Sequence, residues 1–171
     1  MIHIETERLI LRDLIDTDAQ GMFSMDADPK VHLYLGNSPV SSIDQSKADI
    51  NFIREQYKSN GIGRWAVVDK LTGDFLGWSG LKLMRARDNG QINYYDLGYR
   101  FLSKYWGKGY ATESARAAVE YGFLKLGLPE IIAIADTRNL GSIHVLEKVG
   151  LTKVNIFDYQ NRPHPWMNIK K

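Results

Sequence analysis

The clearest repeat of apolar positions in the chain lies between residues 111 and 126. Small or apolar side chains recur there at steps of three, four and one, the spacing of a single helical face. The pattern predicts a helix with one buried face and with most of its charged side chains directed to solvent. The buried positions are Ala111, Ala115, Ala118, Val119, Gly122, Phe123 and Leu126, and the charged ones are Glu113, Arg116, Glu120 and Lys125.

Shorter runs predict the other elements. Alternating or continuous apolar runs bounded by turn residues indicate strands, and helical spacing behind Ser, Thr, Asp or Asn indicates capped helices. The predicted strands are 4–14, 63–69, 75–84, 91–102, 131–136, 153–159 and 164–169, and the predicted helices are 16–25, 42–58, 111–126 and 140–149, with room for one further helical turn at 29–34. We therefore expect one α/β (α+β) domain over residues 1–171, with a mixed, mostly antiparallel sheet of about seven strands and about four helices.

Composition narrows the functional classes. The formal net charge is +2 with acidic and basic residues interleaved, so neither nucleic acid nor a membrane surface is an expected partner. No cysteine is present, which excludes disulfides and cysteine catalysis, and the four histidines lack metal-ligand spacing, so no metal is expected. The first residues do not resemble a secretory signal, and no apolar run approaches the ~20 residues that span a bilayer, so we expect a cytoplasmic protein.

Two glycines precede the main helix. Gly107 and Gly109 allow a tight turn that brings backbone N–H groups together at a helix N-terminus, an arrangement that suits a phosphate. A simple strand-to-helix turn is the alternative. The spacing does not match a Walker loop, since Leu102 stands where its first glycine is required, and Thr112 stands at the third glycine of a dinucleotide fingerprint.

The segment from Lys104 to Gly109, Lys-Tyr-Trp-Gly-Lys-Gly, resembles the acetyl-CoA pyrophosphate loop of the GNAT superfamily of N-acetyltransferases, with lysine where glutamine or arginine is commoner. Four further motifs, in the same order along the chain, resemble the branch that acetylates ribosomal-protein N-termini at serine or alanine. They are Glu7-Arg-Leu-Ile-Leu-Arg12, Asp96-Leu-Gly-Tyr99, Ala111-Thr-Glu113 and Asn139-Leu-Gly-Ser142 with its continuation to Leu151.

The resemblance implies acetyl-CoA as co-substrate. It assigns the pyrophosphate to the loop and the first helical turn, and the pantetheine arm to the backbone of the preceding strand, with Asn139 and Ser142 nearby. The implied cofactor-binding residues are Tyr99, Phe101, Leu102, Lys104, Trp106, Gly107, Lys108, Gly109, Tyr110, Ala111, Thr112, Asn139 and Ser142. The helices between the first and second predicted strands are implied to face the acceptor.

An ammonium group must lose a proton before it attacks a thioester. Asp96 is the preferred base or water-positioning group, with Asp26, Asp28 and Glu55 as weaker candidates, and a structural ion pair is the alternative role for Asp96. Many GNAT enzymes protonate the leaving thiolate with a tyrosine, but the matching position holds Leu146, which leaves Ser142, His144 or solvent.

These features predict an N-acetyltransferase in which a primary amine attacks acetyl-CoA directly in a ternary complex. The acceptor is either a protein N-terminus, such as that of a ribosomal protein, or a small amine, and the enzyme is a monomer or homodimer. A non-catalytic acyl-CoA sensor on the same fold remains the alternative.

Overall fold

The structure, a computed structural model, describes residues 1–171 and contains eight strands and five helices. Two short 3-10 turns, Asp16–Asp18 and Ser103–Tyr105, precede α1 and α4. The strands are β1 (Ile2–Glu5), β2 (Leu9–Arg12), β3 (Trp65–Asp69), β4 (Phe75–Met84), β5 (Tyr94–Phe101), β6 (Glu130–Ile134), β7 (Thr152–Tyr159) and β8 (Arg162–Lys170). The helices are α1 (Ala19–Asp26), α2 (Pro29–His32), α3 (Ile43–Asn60), α4 (Tyr110–Leu124) and α5 (Leu140–Lys148).

All eight strands join one sheet in the order β1-β2-β3-β4-β5-β6-β8-β7. Every neighbouring pair is antiparallel except β5 and β6, which run parallel. The predicted α+β class with a mixed, mostly antiparallel sheet is therefore confirmed. The predicted hairpin between β3 and β4 and the closing pair of strands are confirmed with it.

Strand β3 shows how the sheet divides the interior into two layers. Successive side chains of a strand point to opposite faces. Trp65 and Val67 belong to the larger apolar cluster, which includes buried residues of α4 and α5. Ala66 and Val68 belong to a second cluster with buried residues of α1 and α3. Helices α1 and α3 thus cover one face of the sheet, and α4 and α5 cover the other.

The apolar face predicted for the main helix is confirmed in α4. Ala115, Ala118 and Val119 are buried, and Gly122 packs so close to the sheet that a Cβ there would lie 2.8 Å from Ile131 and Leu81. The absence of a side chain at Gly122 lets the helix approach β4 and β6. The one exception to the predicted polar face is Glu113, whose side chain is only 18% exposed.

The predicted opening strand 4–14 was wrong in one respect, because the segment forms the two-stranded hairpin of β1 and β2. Thr6 makes the turn: its N–H donates to the carbonyl of Leu9 at 2.9 Å, and its side-chain oxygen accepts from the Leu9 N–H at 3.0 Å. This local bonding reverses the chain where the apolar pattern alone predicted a continuous strand. The split strand accounts for the eighth strand, and α2, at the position of the further turn expected over 29–34, accounts for the fifth helix.

None of the five helices has the length and apolar character needed to cross a membrane.

Asp136 organises the turn between β6 and α5. Its carboxylate, which is 1% exposed, accepts hydrogen bonds from the backbone N–H, Nε and Nη2 of Arg138 at 2.9, 2.9 and 2.7 Å. The Asp136 carbonyl also accepts from the N–H of Asn139, which caps α5. The hydrogen bonds from Arg138 hold the pKa of Asp136 down to about 2. The turn is therefore held by an ionised carboxylate.

We expect Asp136→Asn to lower the free energy of unfolding at neutral pH by about 1–2 kcal/mol, since each unit of depressed pKa corresponds to about 1.4 kcal/mol. A depressed carboxyl pKa stabilises the fold above the unfolded value of about 4 and loses that contribution as the pH falls toward 2. Urea denaturation from pH 7 to pH 2.5 should therefore show the wild type and the variant converging below about pH 4. The control Asp44→Asn removes an exposed carboxylate and should change stability little at any pH. A constant gap at all pH values would contradict the role given to Asp136.

Candidate active site

Strands β5 and β6 diverge in the middle of the sheet. Only one pair of residues, Asp96 and Ile132, joins them in register, whereas β4 and β5 pair over eight positions. Because the strands run parallel, the gap opens toward the carboxyl ends of both, where α4 and α5 follow. Backbone groups of β5 along this gap have no strand partner on that side, which leaves an open edge inside the sheet.

The loop before α4 presents free backbone donors to the end of this gap. None of the six N–H groups from residue 107 to residue 112 donates to a backbone carbonyl; the next one, that of Glu113, donates to Gly109. Gly107 and Gly109 both adopt positive φ, 73° and 83°, which glycine accepts without steric cost. Nothing lies within 4 Å of a Cβ placed on Gly107. Clustered donors at a helix N-terminus with open space before them fit a diphosphate.

The hairpin of β1 and β2 holds this loop in place. The Arg8 guanidinium donates to the carbonyl of Lys108 at 3.0 Å and to the carboxylate of Glu113 at 2.7 Å, and it lies 4.6 Å above the ring of Tyr110. Thr6 and the backbone N–H of Arg8 donate to the other oxygen of Glu113. These bonds explain why Glu113 turns away from solvent, and they lower its pKa, although burial opposes them.

The remaining predicted loop residues take different positions. Trp106 is 49% exposed and donates through its indole N–H to the carbonyl of Phe101 at 2.9 Å, and the N–H of Leu102 donates to Leu76 at 3.0 Å. The Phe101 carbonyl is thus already paired, and the Leu102 N–H is bonded on the β4 side, so the free edge of β5 ends before these two residues. The Lys104 ammonium lies 4.9 Å from the ring of Tyr105.

Tyr99 and Ser142 meet where β5 faces the start of α5. The Tyr99 hydroxyl donates to the carbonyl of Ser142 at 2.8 Å and lies 3.0 Å from its side-chain oxygen. Asn139 accepts from the N–H of Ser142 at 3.1 Å, so the predicted N-cap is confirmed. Burial raises the pKa of Tyr99 well above its usual value. Leu146, where the family often has a tyrosine, is buried in the core cluster and offers no hydroxyl.

Asp96 points to the opposite face of β5 and forms an ion pair with Arg64, the alternative left open by the sequence. The Arg64 guanidinium also donates to the carbonyls of Gly80 and Asp96. It occupies the space above Gly98, where a Cβ would lie 2.6 Å from Nη2. Burial raises the pKa of the Asp96 carboxyl, and the charge of Arg64 acts in the opposite direction.

A cavity of about 280 Å³ lies on this face of the sheet, under α1 and α3. Asp96 and Arg100 of β5 and Ile134 of β6 form part of its floor. The centre of the Trp78 ring lies 5.6 Å from the guanidinium carbon of Arg64 and 5.1 Å from that of Arg100. The two helices that the resemblance directs toward the acceptor thus line a cavity next to the gap. Their contributions are Met22, Asp26, Asp49, Phe52, Ile53 and Gln56.

The weaker candidates for a base are mostly engaged elsewhere. Asp26 is buried and accepts from Arg100 at 2.8 Å, Asp28 accepts from Ser103 at 2.6 Å, and Glu55 is an exposed partner of Lys58. His144 is exposed on α5 and makes no side-chain hydrogen bond. Asp96 is accordingly the candidate that lies both in the cavity and on β5.

The sequence analysis did not single out Arg64 or Arg100. Arg64 directly precedes an apolar strand, and only Gly98, an isolated glycine within a strand, signals that another group approaches there. Arg100 carries no such signal. Arg8 lies inside a motif quoted for the resemblance, but its contact with a loop 100 residues later depends on the sheet order.

Comparison with known proteins identifies a matching family and several relatives of similar length. The family described as the acetyltransferase (GNAT) domain matches residues 8–152. The Bacillus subtilis protein YkkB is 32% identical over 159 residues, covering 92% of this chain and 90% of YkkB. The B. subtilis N-acetyltransferase YoaA is 30% identical over 161 residues, covering 92% and 89%.

Solved structures share the fold. A GNAT-family acetyltransferase from Bacillus anthracis superposes with a TM-score of 0.81 at 25% identity, covering 99% of this chain and 98% of that one. A spermidine N-acetyltransferase from Vibrio cholerae, solved with CoA and spermine, gives 0.75 at 18% identity with 96% of both chains covered. A ribosomal-protein-S5-alanine acetyltransferase from Vibrio fischeri gives 0.76 at 22%, covering 98% and 95%.

Proposed function

The chain belongs to the GNAT family of N-acetyltransferases, and on that premise we propose that it transfers the acetyl group of acetyl-CoA to a primary amine by direct attack in a ternary complex. One observation carries the proposal: the gap between β5 and β6 has a loop of unpaired N–H donors at its end and a cavity beside it, under α1 and α3. A long thioester held along the gap would present its acyl carbon to an amine in the cavity.

For the cofactor, the proposal assigns the diphosphate to the N–H groups of residues 107–112 and the pantetheine arm to the free edge of β5. An N–H on that edge would donate to the thioester oxygen, where negative charge develops during attack. A fixed donor of this kind is worth about 3 kcal/mol in acyl transfer. Because the backbone performs both tasks, the side chains of the loop contribute mainly by keeping its shape.

For the amine proton, the proposal assigns Asp96, directly or through an ordered water. The carboxylate lies in the cavity beside the gap, and burial raises its pKa toward the range useful for a base. Arg64 fixes its orientation and favours the ionised form. In this scheme activity requires both an ionised Asp96 and a neutral amine, so it rises with pH.

For the leaving sulfur, the proposal assigns Ser142 as the group that supplies a proton. Its hydroxyl lies 3.0 Å from the Tyr99 hydroxyl, which orients the serine side chain, and solvent restores the proton that the serine gives up. This pair takes the place of the tyrosine that is missing at Leu146.

The acceptor is proposed to be a small amine rather than a protein N-terminus. The cavity is about 280 Å³ and is roofed by two helices, dimensions that suit a metabolite. The solved neighbours include one that acetylates spermidine and one that acetylates a ribosomal-protein alanine, so the fold accommodates both kinds of acceptor.

The buried leucine at position 146 favours the second candidate, a sensor that binds acyl-CoA without turnover. Thiol release from acetyl-CoA, measured with a panel of small amines, polyamines and N-terminal peptides, separates the two. We expect release with at least one amine of metabolite size and weaker release with peptides. Tight CoA binding with no release on any acceptor would reject the enzyme in favour of the sensor.

We expect Gly107→Glu to weaken CoA binding at least tenfold, because a carboxylate among the loop N–H groups repels the diphosphate. Gly73→Glu is the matched control, since Gly73 also has positive φ and open space around its Cβ but lies in the turn between β3 and β4. Calorimetric titration with CoA gives both affinities, and circular dichroism checks the fold. Equal affinities in the two variants would place the diphosphate elsewhere.

We expect Asp96→Asn to lower kcat by at least tenfold and to remove the acidic limb of its pH profile, with CoA affinity within twofold of the wild type. The matched control is Asp18→Asn, which breaks a second buried pair, with Arg12, on the same face of the sheet. That variant should lose stability without a change in the pH profile. If the two variants behave alike, the effect of Asp96 is structural and the assignment as base is wrong.

A further inference from the structure

A second cavity, of about 240 Å³, adjoins the first. Arg100 and Tyr159 line both cavities, so the two spaces meet at the carboxyl end of β5. The other walls come from the loop after α2 and from the turn between β7 and β8. Those walls are formed by Tyr34, Leu35, Gly36, Gln160, Arg162 and His164.

We propose that this second cavity binds an anionic group of the acceptor, a carboxylate or a phosphate, so that the substrate is an amine that also carries a negative charge. The inference rests on the proposed function for the position of the amine, and it adds the chemical class of the acceptor. Two guanidinium groups, of Arg100 and Arg162, face the cavity, and no carboxylate is among its lining residues.

The nearby carboxylates do not cancel this charge. Asp26 pairs with Arg100 at 2.8 Å. Asp136 accepts three hydrogen bonds from Arg138 and reaches Arg162 only at 3.9 Å. Among these paired groups, two carboxylates face three guanidinium groups; a third carboxylate near Arg100, that of Asp49, lines the first cavity and not the second. The surplus positive charge belongs to Arg162, whose side chain is 39% exposed and can meet a ligand.

One of the two guanidinium groups and the neighbouring histidine ring are also held in fixed positions. Arg100 is fixed between the carboxylate of Asp26 and the ring of Trp78. His164 is buried, with Nδ1 3.0 Å from the carbonyl of Arg162, and its ring packs edge-on against Tyr159 at 5.4 Å. A planar guanidinium in a fixed orientation binds carboxylate and phosphate oxygens in pairs and loses little entropy on binding.

The first cavity has a different charge balance. Its lining contains three carboxylates and three cationic side chains, and Asp49 and Lys82 among them form no ion pair. An ammonium group is therefore tolerated in the first cavity and repelled from the second. A polyamine that filled both cavities would place a cation against Arg162, whereas an amino acid or an aminoalkyl phosphate would match both.

The test uses the full chain and a series of amines from β-alanine to 6-aminohexanoate, each compared with its primary amide, together with 2-aminoethyl phosphate and spermidine. Dissociation constants are measured by NMR titration, with and without CoA, and so do not depend on turnover. We expect at least one carboxylate or the phosphate to bind at least tenfold more tightly than its neutral counterpart or spermidine. Arg162→Gln should reduce that preference to within twofold.

Arg87→Gln is the matched control, because it removes one exposed arginine from the turn between β4 and β5, outside both cavities, and should leave the preference intact. Equal binding of acids and amides, tighter binding of spermidine, or no binding of any anionic amine would overturn the inference. Tighter binding of 2-aminoethyl phosphate than of the carboxylates would support the inference and identify phosphate as the preferred anion.

Thiol release measured on the same compounds distinguishes a failure of the anion-site proposal from a failure of the acetyltransferase proposal. Selective binding of anionic amines without thiol release would reject the acetyltransferase activity and retain the anion site. Thiol release with acids and amides at equal kcat/KM would retain the activity and reject the anion site.

Discussion

The divergence of β5 and β6 is the constraint on which the candidate site depends. Parallel strands in a sheet normally pair along their length, and here the pairing stops after Asp96 and Ile132. The unpaired edge would be costly if it remained buried without partners. Two features lie next to the gap. The N–H donors of the loop before α4 lie at its end, and the two cavities lie on the face of the sheet that α1 and α3 cover. In the proposed mechanism, the same interruption of the sheet would serve both the thioester and the acceptor.

On the cavity side of the sheet, the two arginines of the strands and of the segment before β3 each form an ion pair with a carboxylate. Arg64 and Arg100, both close to Trp78, are each matched with a buried carboxylate, Asp96 and Asp26 respectively. Buried ion pairs contribute little net stability, since desolvation offsets most of their attraction. They lie next to the gap, and Gly98 makes room for Arg64; in the proposed mechanism these pairs would orient charge for a ligand.

Much of the architecture could be predicted from the sequence, because local patterns determine it. The helical repeat of α4, the turn chemistry between β3 and β4, and the N-cap at Asn139 are all consequences of neighbouring residues. The hairpin of β1 and β2 was missed because a hydrogen bond from the Leu9 N–H to the Thr6 side chain, rather than a change in apolar pattern, marks the turn. Similarly, the loop at Gly107 carries a local signal, whereas the partner of Asp96 and the second cavity arise from segments brought together by the sheet order.

The contact of Arg8 with Lys108 and Glu113 couples two segments that lie about a hundred residues apart in the chain. The guanidinium ties the first hairpin, at the outer edge of the sheet, to the loop that would hold the diphosphate. Loosening either segment breaks bonds made by the other, so the two share one local opening equilibrium. By thermodynamic reciprocity, a ligand that orders the loop also orders the start of the chain. Fraying of the N-terminal hairpin correspondingly lowers the affinity for the ligand.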